Sequence, residues 1–372
     1  MSITIKPVST QKQKREFVKC PAKLHRNHSG WVPGIIKDDL NYLDPVQNRY
    51  LSHSDIVLYL AYQDGDIVGR IMGIINHRAN QVRGEQLARF ALLESTDNRE
   101  VVAQLLGAVE TWGRQKGMTV LVGPKGFSNL DPQGLLIEGF DHEPTTSSYF
   151  NFPFLPPLIE KCGYSKDVDY VNYYIPAPRE IPEIYQKIRQ RFAKRRQFRL
   201  IEFDNKKELF PYIRPLFQMM NDAYRNIHGY VPIDDEEIGH IIKKFMPVIQ
   251  PQFVKIVKKD DELVAFILGI PNLNRGLRKA RGQLYPFGVW HVLRAMKTTR
   301  QLDLLLGAVR EEYRGRGLDV LMGIAMIDSA RQAGIEHIDS NQELETNYKV
   351  RAEMERVGGE VCKRSRIYRK EI

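Results

Sequence analysis

The sequence predicts a mixed α/β fold in which two halves with a similar order of elements follow one another. Its length of 372 residues exceeds that of one typical domain. Each half contains a hairpin pattern, and each hairpin precedes a further strand and helix. Hydrophobic residues make up 42% of the chain and charged residues 27%, as in ordinary globular proteins.

The first hairpin consists of two apolar runs on either side of the turn Gln63-Asp64-Gly65-Asp66. The second half repeats this pattern between Phe253 and Ile270. Elements of the same kind and order follow both hairpins. In the first half we predict a strand at 86–93, a helix at 98–115 and a strand at 118–122; in the second, a strand at 302–309, a helix at 320–332 and a strand at 335–339.

This repetition predicts a tandem duplication, with two unrelated α/β domains as the alternative. We predict an N-terminal domain over residues 1–178, a connecting helix within 179–196 and a C-terminal domain over residues 197–372. Prolines at 176, 178 and 182 mark the boundary. The first 17 residues read as a strand and a helix and not as a signal peptide, so we expect a cytoplasmic protein.

The positive charge lies in the second half. Residues 1–178 contain equal numbers of basic and acidic side chains, so the whole net charge of +10 belongs to the remainder. Such an excess attracts phosphate-bearing ligands, an anionic membrane surface or nucleic acid. The three cysteines and nine histidines lack metal-ligand spacing, so we predict neither a metal site nor a disulfide framework.

A glycine-rich turn separates the strand at 302–309 from the helix that follows. It contains Arg314, Gly315, Arg316 and Gly317, with Leu318 next. Glycine permits positive φ and a close approach of the backbone to a ligand, and the first amides of a helix lack internal partners. The pattern therefore predicts an anion-binding loop, with two arginines beside it.

This turn resembles the Arg-x-x-Gly-x-Gly/Ala signature of the GNAT superfamily of acyl-CoA-dependent N-acyltransferases. The resemblance implies two tandem domains, each a mostly antiparallel twisted sheet that is splayed between two central strands. It also implies acetyl-CoA or a longer acyl-CoA as the acyl donor, bound by the signature loop, by a main-chain amide near Val309 and by an asparagine beside the closing helix. The implied cofactor-binding residues are Val309, Arg310, Arg314, Gly315, Arg316, Gly317, Leu318 and Asn347.

Two departures from this signature stand out. Asp319 occupies the last position, where the family has Gly or Ala, and we expect it to be the N-cap of the helix. The corresponding stretch of the first half, residues 95–99, contains no glycine. We therefore expect that the first half has lost cofactor binding. It would instead shape the acceptor pocket or support the second half.

Candidates for acid and base are less well defined. The family's tyrosine on the closing helix is replaced by Met354. Tyr348, six residues earlier, is our candidate acid, with a structural tyrosine as the alternative. Asp339, Asn341, Glu343 and Glu345 would share one face of an unbroken strand. Clustered carboxylates raise one another's pKa, so we name Glu343 as the candidate base, with a solvated strand end as the alternative.

Segments along nearly the whole chain, including Trp112–Pro124 and Tyr285–Gly288, resemble bacterial proteins with two GNAT domains. That resemblance implies transfer of an acyl group to a primary amine near the cleft between the domains. The implied acceptor is a small or lipid-like amine, a class that includes long-chain amines such as sphingoid bases. Basic and then aromatic residues within Asn272–Arg300 suit a lid, a peripheral membrane contact or packing between the halves.

Two other functions are alternatives to an N-acyltransferase. A GNAT-fold protein that binds or regulates without turnover would fit the missing tyrosine and Asp319. Nucleic-acid binding would use the basic run 189–199, but helical spacing and the lack of a recognition motif argue against it. The sequence does not define the oligomeric state.

Overall fold

The computed structural model describes residues 2–177, 183–194, 197–225 and 229–372. Its strands are β1 Ile3–Pro7, β2 Ser54–Gln63, β3 Asp66–Asn76, β4 Leu87–Ser95, β5 Val120–Gly123, β6 Leu135–Glu138, β7 Ser165–Pro176, β8 Arg199–Ile201, β9 Val254–Lys259, β10 Glu262–Pro271, β11 Gln301–Val309, β12 His337–Asp339, β13 Glu343–Leu344 and β14 Glu360–Glu371. Its helices are α1 Gln11–Leu24, α2 Ile36–Tyr42, α3 His77–Arg83, α4 Arg99–Gln115, α5 Leu155–Glu160, α6 Glu183–Lys194, α7 Phe210–Tyr224, α8 Asp235–Phe245, α9 Asn274–Ala280, α10 Gly288–Thr298, α11 Leu318–Gln332 and α12 Tyr348–Arg356.

The predicted elements that follow both hairpins are confirmed. The first hairpin is β2 and β3, and the second is β9 and β10. The helix predicted at 98–115 is α4, which begins after Asn98 and buries an apolar face at helical spacing. The N-terminal strand and helix are β1 and α1.

Two compact units divide the chain, and they are not colinear with the predicted domains. Unit 1 comprises Met1–Tyr170, Asn274–Val292 and Lys363–Ile372, and unit 2 comprises Val171–Leu273 and Leu293–Cys362. The predicted boundary stretch 176–182 lies largely outside the described residues, and the helix that was predicted to connect the domains is α6, which lies within unit 2. Strand pairing joins residues that are distant in sequence, so a local pattern does not show this division.

In unit 1 the strands follow the order β1, β2, β3, β4, β5, β14. All neighbouring pairs given by register are antiparallel except β4 and β5, which run parallel through three residue pairs that end at Arg89 and Val122. The register between β3 and β4 shifts near Leu92, whose φ is +51°. Helix α4 packs its buried face on this sheet, with Phe90 and Ile71 in the same core.

Unit 2 repeats this arrangement in the order β7, β12, β11, β10, β9, β8. Strands β11 and β12 run parallel through three residue pairs that end at Asp303 and Asp339, and the other pairs given by register are antiparallel. A register shift in the β10–β11 pair leaves Leu305 as an extra residue. Helix α11 contributes Ile324 and Met326 to the core beneath this sheet.

None of the described helices is both long enough and apolar enough to cross a membrane.

Candidate functional site

The candidate site lies in unit 2, where β11 leaves β12. Beyond Asp303, β11 continues to Val309 without a register partner on the β12 side. The amide of Arg310 donates to Val264 O at 2.9 Å, so residues of β11 alternate between bonding β10 and facing the open edge. This alternation turns the main-chain groups of Leu305, Gly307 and Val309 towards the open edge.

Side chains from other elements reach this edge. The hydroxyl of Tyr224, the last residue of α7, donates to Gly307 O at 2.8 Å and lies 3.4 Å from Gly307 N. Asn341 Nδ2 donates to Leu305 O at 2.8 Å, and Arg314 Nε donates to Val309 O at 3.3 Å. The edge is therefore a polar strip of main-chain groups with a phenol in its middle.

The glycine-rich turn follows β11 directly. Gly315 and Gly317 have φ values of +70° and +81°, a region that L side chains rarely adopt. Gly317 is the N-cap of α11 and provides no capping side chain, so the first amides of a 15-residue helix are left for another partner. Arg314 and Arg316 are exposed beside them, and the Arg316 guanidinium also covers the Tyr313 ring at 5.3 Å.

The expected capping role of Asp319 is wrong. Helix α11 begins at Leu318, so Asp319 is its second residue and Gly317 occupies the N-cap. A carboxylate in the first turn still interacts favourably with the helix dipole. Asp319 also acts on Glu353 of α12, because its charge adds to the effect of burial and raises the pKa of Glu353 to about 7. Arg356 and Arg314 oppose that shift.

Glu343 lies on β13, and its surroundings differ from those expected. The row from Asp339 to Glu345 does not form one strand, since β12 ends at Asp339 and β13 begins only at Glu343. Burial raises the pKa of Glu343 to about 8, and the charge that adds to this rise belongs to Glu353. The predicted effect of clustered carboxylates is therefore present, but its partner comes from the helix α12.

Tyr224 is a residue that the sequence analysis missed. Burial, followed by the charge of Glu343, raises the pKa of its phenol well above the usual value. The charge of Glu343 therefore acts on a phenol that lies at the open edge of β11. No motif marks Tyr224, because its position depends on how α7 packs against β10 and β11.

The other predicted residues occupy varied positions. Tyr348 is the first residue of α12 and is 72% exposed, whereas Asn347 is the N-cap residue of that helix. The Arg310 side chain is held on β10, where Nε donates to Leu263 O at 2.9 Å and the guanidinium pairs with Glu262 at 3.1 Å. Its amide is also bonded, which leaves Val309 as the predicted residue whose amide faces the edge.

Helix α12 is fixed in unit 2 by a small network. Arg351 Nε donates to Tyr173 Oη at 2.9 Å, and Tyr173 donates to Glu355 at 3.1 Å. Arg351 also donates to the carbonyl of Glu345 at 2.9 Å. These bonds link α12 to β7 and to the segment after β13, and so hold Glu353 near Glu343.

Unit 1 has a different set of polar groups at the equivalent strand. Glu94, near the end of β4, lies 2.8 Å from His25 Nε2, and His25 Nδ1 lies 2.9 Å from His28 Nδ1. Both imidazoles stack on Phe152 with centroids 4.3 and 4.4 Å away. Sequence reasoning missed this pairing because Glu94 and His25 are 69 positions apart.

Known proteins share this architecture. A tandem GNAT protein from the clavulanic acid biosynthesis pathway superposes with a TM-score of 0.58 at 12% identity, covering 100% of this chain and 98% of the other. A GCN5-related N-acetyltransferase from Sphaerobacter thermophilus gives a TM-score of 0.55 at 14% identity, covering 99% and 95%. The chain is therefore a tandem protein of the GNAT fold, as the resemblance implied.

Two curated proteins are similar along their whole length. The bacterial ceramide synthase of Caulobacter vibrioides is 28% identical over 383 aligned positions, which cover 100% of this chain and 98% of that protein. Protein YghO of Escherichia coli is 26% identical, with 96% and 93% covered. No family model matches the chain.

Proposed function

We propose that this protein transfers an acyl group from acyl-CoA to a primary amine, with the acyl donor bound by unit 2. The observation that carries the proposal is the glycine-capped start of α11 directly after the open edge of β11. A diphosphate suits the free helix amides and the exposed Arg314 and Arg316. The amide-bearing arm of CoA suits a strand edge whose main-chain groups have no partner strand.

The residues present fit such a donor. The two positive-φ glycines allow the backbone to turn closely around a diphosphate, and Leu318 is buried and anchors the start of α11. Asn347 and the amide of Val309 remain predicted contacts. Asp319 adds a negative charge at the same helix end, so we expect the arginines to be needed for binding.

The reaction requires a neutral amine, a polarised thioester carbonyl and a proton for the leaving thiolate. The amine nitrogen attacks the carbonyl carbon, the carbon–sulfur bond breaks, and the amine loses a proton. Glu343 is the proposed acceptor of that proton, because its pKa of about 8 makes the carboxylate a stronger base than an exposed one. Amides at the β11 edge would polarise the carbonyl.

Tyr224 is the proposed donor to the thiolate. Its hydroxyl carries a proton and already lies at the β11 edge beside Gly307. Tyr348 remains the acid predicted from sequence, but its 72% exposure places it in water. Comparing Tyr224→Phe with Tyr348→Phe separates the two, since only the residue that acts as acid should lower kcat when changed.

The proposed acceptor is a long-chain amine. The whole-length similarity to a protein named bacterial ceramide synthase supports this choice, since a ceramide is an N-acylated long-chain amino alcohol. The experiment is a mass-spectrometric assay that supplies palmitoyl-CoA with a long-chain amino alcohol, with a short soluble amine in a parallel reaction. We expect an N-acyl product that is lost in Glu343→Gln.

The rival function is a GNAT-fold protein that binds acyl-CoA without turnover. The exposed position of Tyr348 favours that rival, because the predicted acid then lies outside the site. Calorimetry separates the two functions. Saturable binding of acyl-CoA without N-acyl product from any amine tested would support the rival and contradict the proposed enzyme.

A further inference from the structure

Unit 1 carries an exposed cluster of aromatic side chains. Tyr285 and Phe287 are each 77% exposed, and Trp290 is 61% exposed. We call these three, together with the exposed Arg275, Lys279 and Arg281, the aromatic–basic surface. Large aromatic side chains are normally buried, so three exposed within six positions point to a partner.

The chain segment that contains this cluster carries charge of one sign. Residues 263–302 include no Asp or Glu and contain seven Lys or Arg residues, listed here in order: Arg275, Arg278, Lys279, Arg281, Arg294, Lys297 and Arg300. The exposed basic side chains of this stretch would attract a partner with a negative surface. Tyr and Trp beside Lys and Arg are typical of side chains at the boundary between lipid and water.

Hydrogen bonds from α9 anchor this segment to other residues of unit 1. Arg278 points inward, where its guanidinium donates to Gly30 O and pairs with Glu143, both at 2.8 Å. Asn274 donates to Pro144 O at 2.7 Å. The basic residues of α9 thus have two roles, since Arg278 holds the helix on unit 1 while Arg275 and Lys279 are exposed.

The loop that presents the aromatic rings is tightly folded. A Cβ on Gly288 would lie 1.8 Å from Gln283 O, and the amide of Val289 donates to Leu284 O at 2.6 Å. Gly282 O accepts from the amide of Ile36 at 2.9 Å, which ties the loop to the start of α2. The rings of Tyr285 and Phe287 are therefore exposed on a braced loop.

Helix α10 continues the same pattern. Trp290, Leu293 and Lys297 are spaced by three and four residues, so they share one face of the helix, and all three are exposed. A helix with apolar and basic residues on its exposed face is suited to lie along a lipid surface.

We propose that the aromatic–basic surface binds an anionic lipid bilayer, with its aromatic rings at the headgroup level and its basic side chains against lipid phosphates. The expectation that this protein works at a bilayer rests on the proposed function, because a long-chain amine acceptor resides in membranes. Binding itself follows from the surface and does not depend on catalysis. Exposed rings with basic neighbours fit a charged lipid surface better than an acyl-chain lid, which would bury its rings against the chain.

The experiment is vesicle co-sedimentation with the full chain. Vesicles of phosphatidylcholine alone are compared with vesicles that also contain phosphatidylglycerol. The aromatic variant is Tyr285→Ala, Phe287→Ala and Trp290→Ala together, and its matched control is Phe210→Ala, whose ring is 57% exposed on unit 2. The charge variant is Arg275→Glu, Lys279→Glu and Arg281→Glu, matched by the same reversal at the exposed α1 residues Lys12, Arg15 and Lys19.

We expect the wild-type protein to partition onto the anionic vesicles and the aromatic and charge variants to lose about ten-fold or more in partition coefficient. The controls should bind within about two-fold of wild type, because their side chains lie outside the aromatic–basic surface. Equal binding by variants and wild type, or no binding by wild type, would overturn the proposal.

A second readout separates this proposal from the proposed function. Turnover of a soluble amine without vesicles should be unchanged in the aromatic variant, while turnover of a vesicle-borne long-chain amine should fall. Loss of both activities in the folded variant would identify the surface as an acyl-chain lid and contradict membrane binding. Vesicle binding without turnover of any amine by wild type would contradict the enzyme and leave the surface established.

Discussion

The two units share the same arrangement of strands but differ in the N-cap of the helix that follows. In each, one strand pairs in parallel through three residue pairs and then continues past an irregular position, near Leu92 in unit 1 and at Leu305 in unit 2. In unit 1 the following helix α4 is capped by Asn98, whose side chain accepts from the amide of Glu100 at 2.9 Å. In unit 2 the cap is Gly317, which has no side chain.

That contrast is one difference between the two helix starts. A side-chain cap satisfies one of the first amides of a helix internally, whereas a glycine cap leaves that amide for another partner. Unit 1 therefore keeps the frame without the glycine-rich turn. It instead places the buried His25 at 2.8 Å from Glu94 near the end of β4.

The largest expected effect concerns Glu343. Glu343→Gln should lower kcat by about 10²-fold or more and leave acyl-CoA binding unchanged, because only proton transfer is removed. The wild-type rate should rise with pH through about 8, since the carboxyl accepts a proton only once it is ionised. The measurement is kcat against pH, with Glu345→Gln as the control two positions away. A wild-type rate that is independent of pH would contradict this role.

The next effect concerns the glycine cap. Gly317→Ala forces an L side chain to φ +81° and brings its Cβ to 3.3 Å from the Phe192 ring. We expect a loss of about 1–2 kcal/mol in unfolding free energy and at least about a ten-fold rise in the Kd for acyl-CoA. Gly334→Ala, at φ +76° beyond the other end of α11, is the matched control. It should lose similar stability and keep the Kd.

The arginines of the turn should matter less individually. Arg314→Ala should raise the Kd by about ten-fold, because it removes one charge-assisted contact. The loss should shrink as salt is added, because the side chain is exposed. Calorimetric titration at two salt concentrations checks this, with Arg331→Ala in the last turn of α11 as the control. A Kd equal to that of wild type would place the diphosphate elsewhere.

Unit 1 offers the reverse test. Asn98→Ala removes the side-chain cap of α4 and should lower the free energy of unfolding by ~1 kcal/mol. Asn98→Gly should cost less, since glycine is an acceptable cap, and neither variant should gain a second acyl-CoA site. Chemical denaturation and calorimetric stoichiometry are the two measurements. A stoichiometry that rises to two would show that the cap alone closes this cradle.

The smallest expected effect concerns His28. Burial, and then the neighbouring His25, lower its pKa below the usual 6.5. The folded state therefore binds fewer protons than the unfolded state, so stability is full above pH 6.5 and falls as the pH drops below it. Water around the half-buried ring keeps this loss below ~1 kcal/mol. Denaturation at pH 5.5 and 7.5 should show the loss in wild type and not in His28→Gln.

Local patterns predicted the fold well. The turn at Gln63–Asp66 and the apolar face of α4 are short-range features, and both appear where expected. The glycine-rich turn could also be predicted from the sequence, because two glycines alternate there with two arginines over four consecutive positions. The N-cap of α11 was predicted two residues too late, since Asp319 is a favoured cap residue but Gly317 occupies that position.

Long-range contacts limited the prediction of the site. Tyr224 reaches Gly307 across 83 positions, and Glu343 acquires its raised pKa through burial and through Glu353 on another element. Neither interaction produces a residue spacing that could be recognised in the sequence. The same reason hid the pairing of β14 with β5, in which Tyr368 faces Gly123.

We propose that the chain has one acyl-CoA site and that this site lies in unit 2. Calorimetric titration of the full chain with a non-hydrolysable acyl-CoA analogue tests this most directly, in wild type and in the Arg314→Ala, Gly317→Ala double variant, with Gly334→Ala as the control. We predict one analogue bound per wild-type and control chain and none by the double variant at the same concentration. Two analogues bound per chain, or binding that survives the double change, would contradict the account.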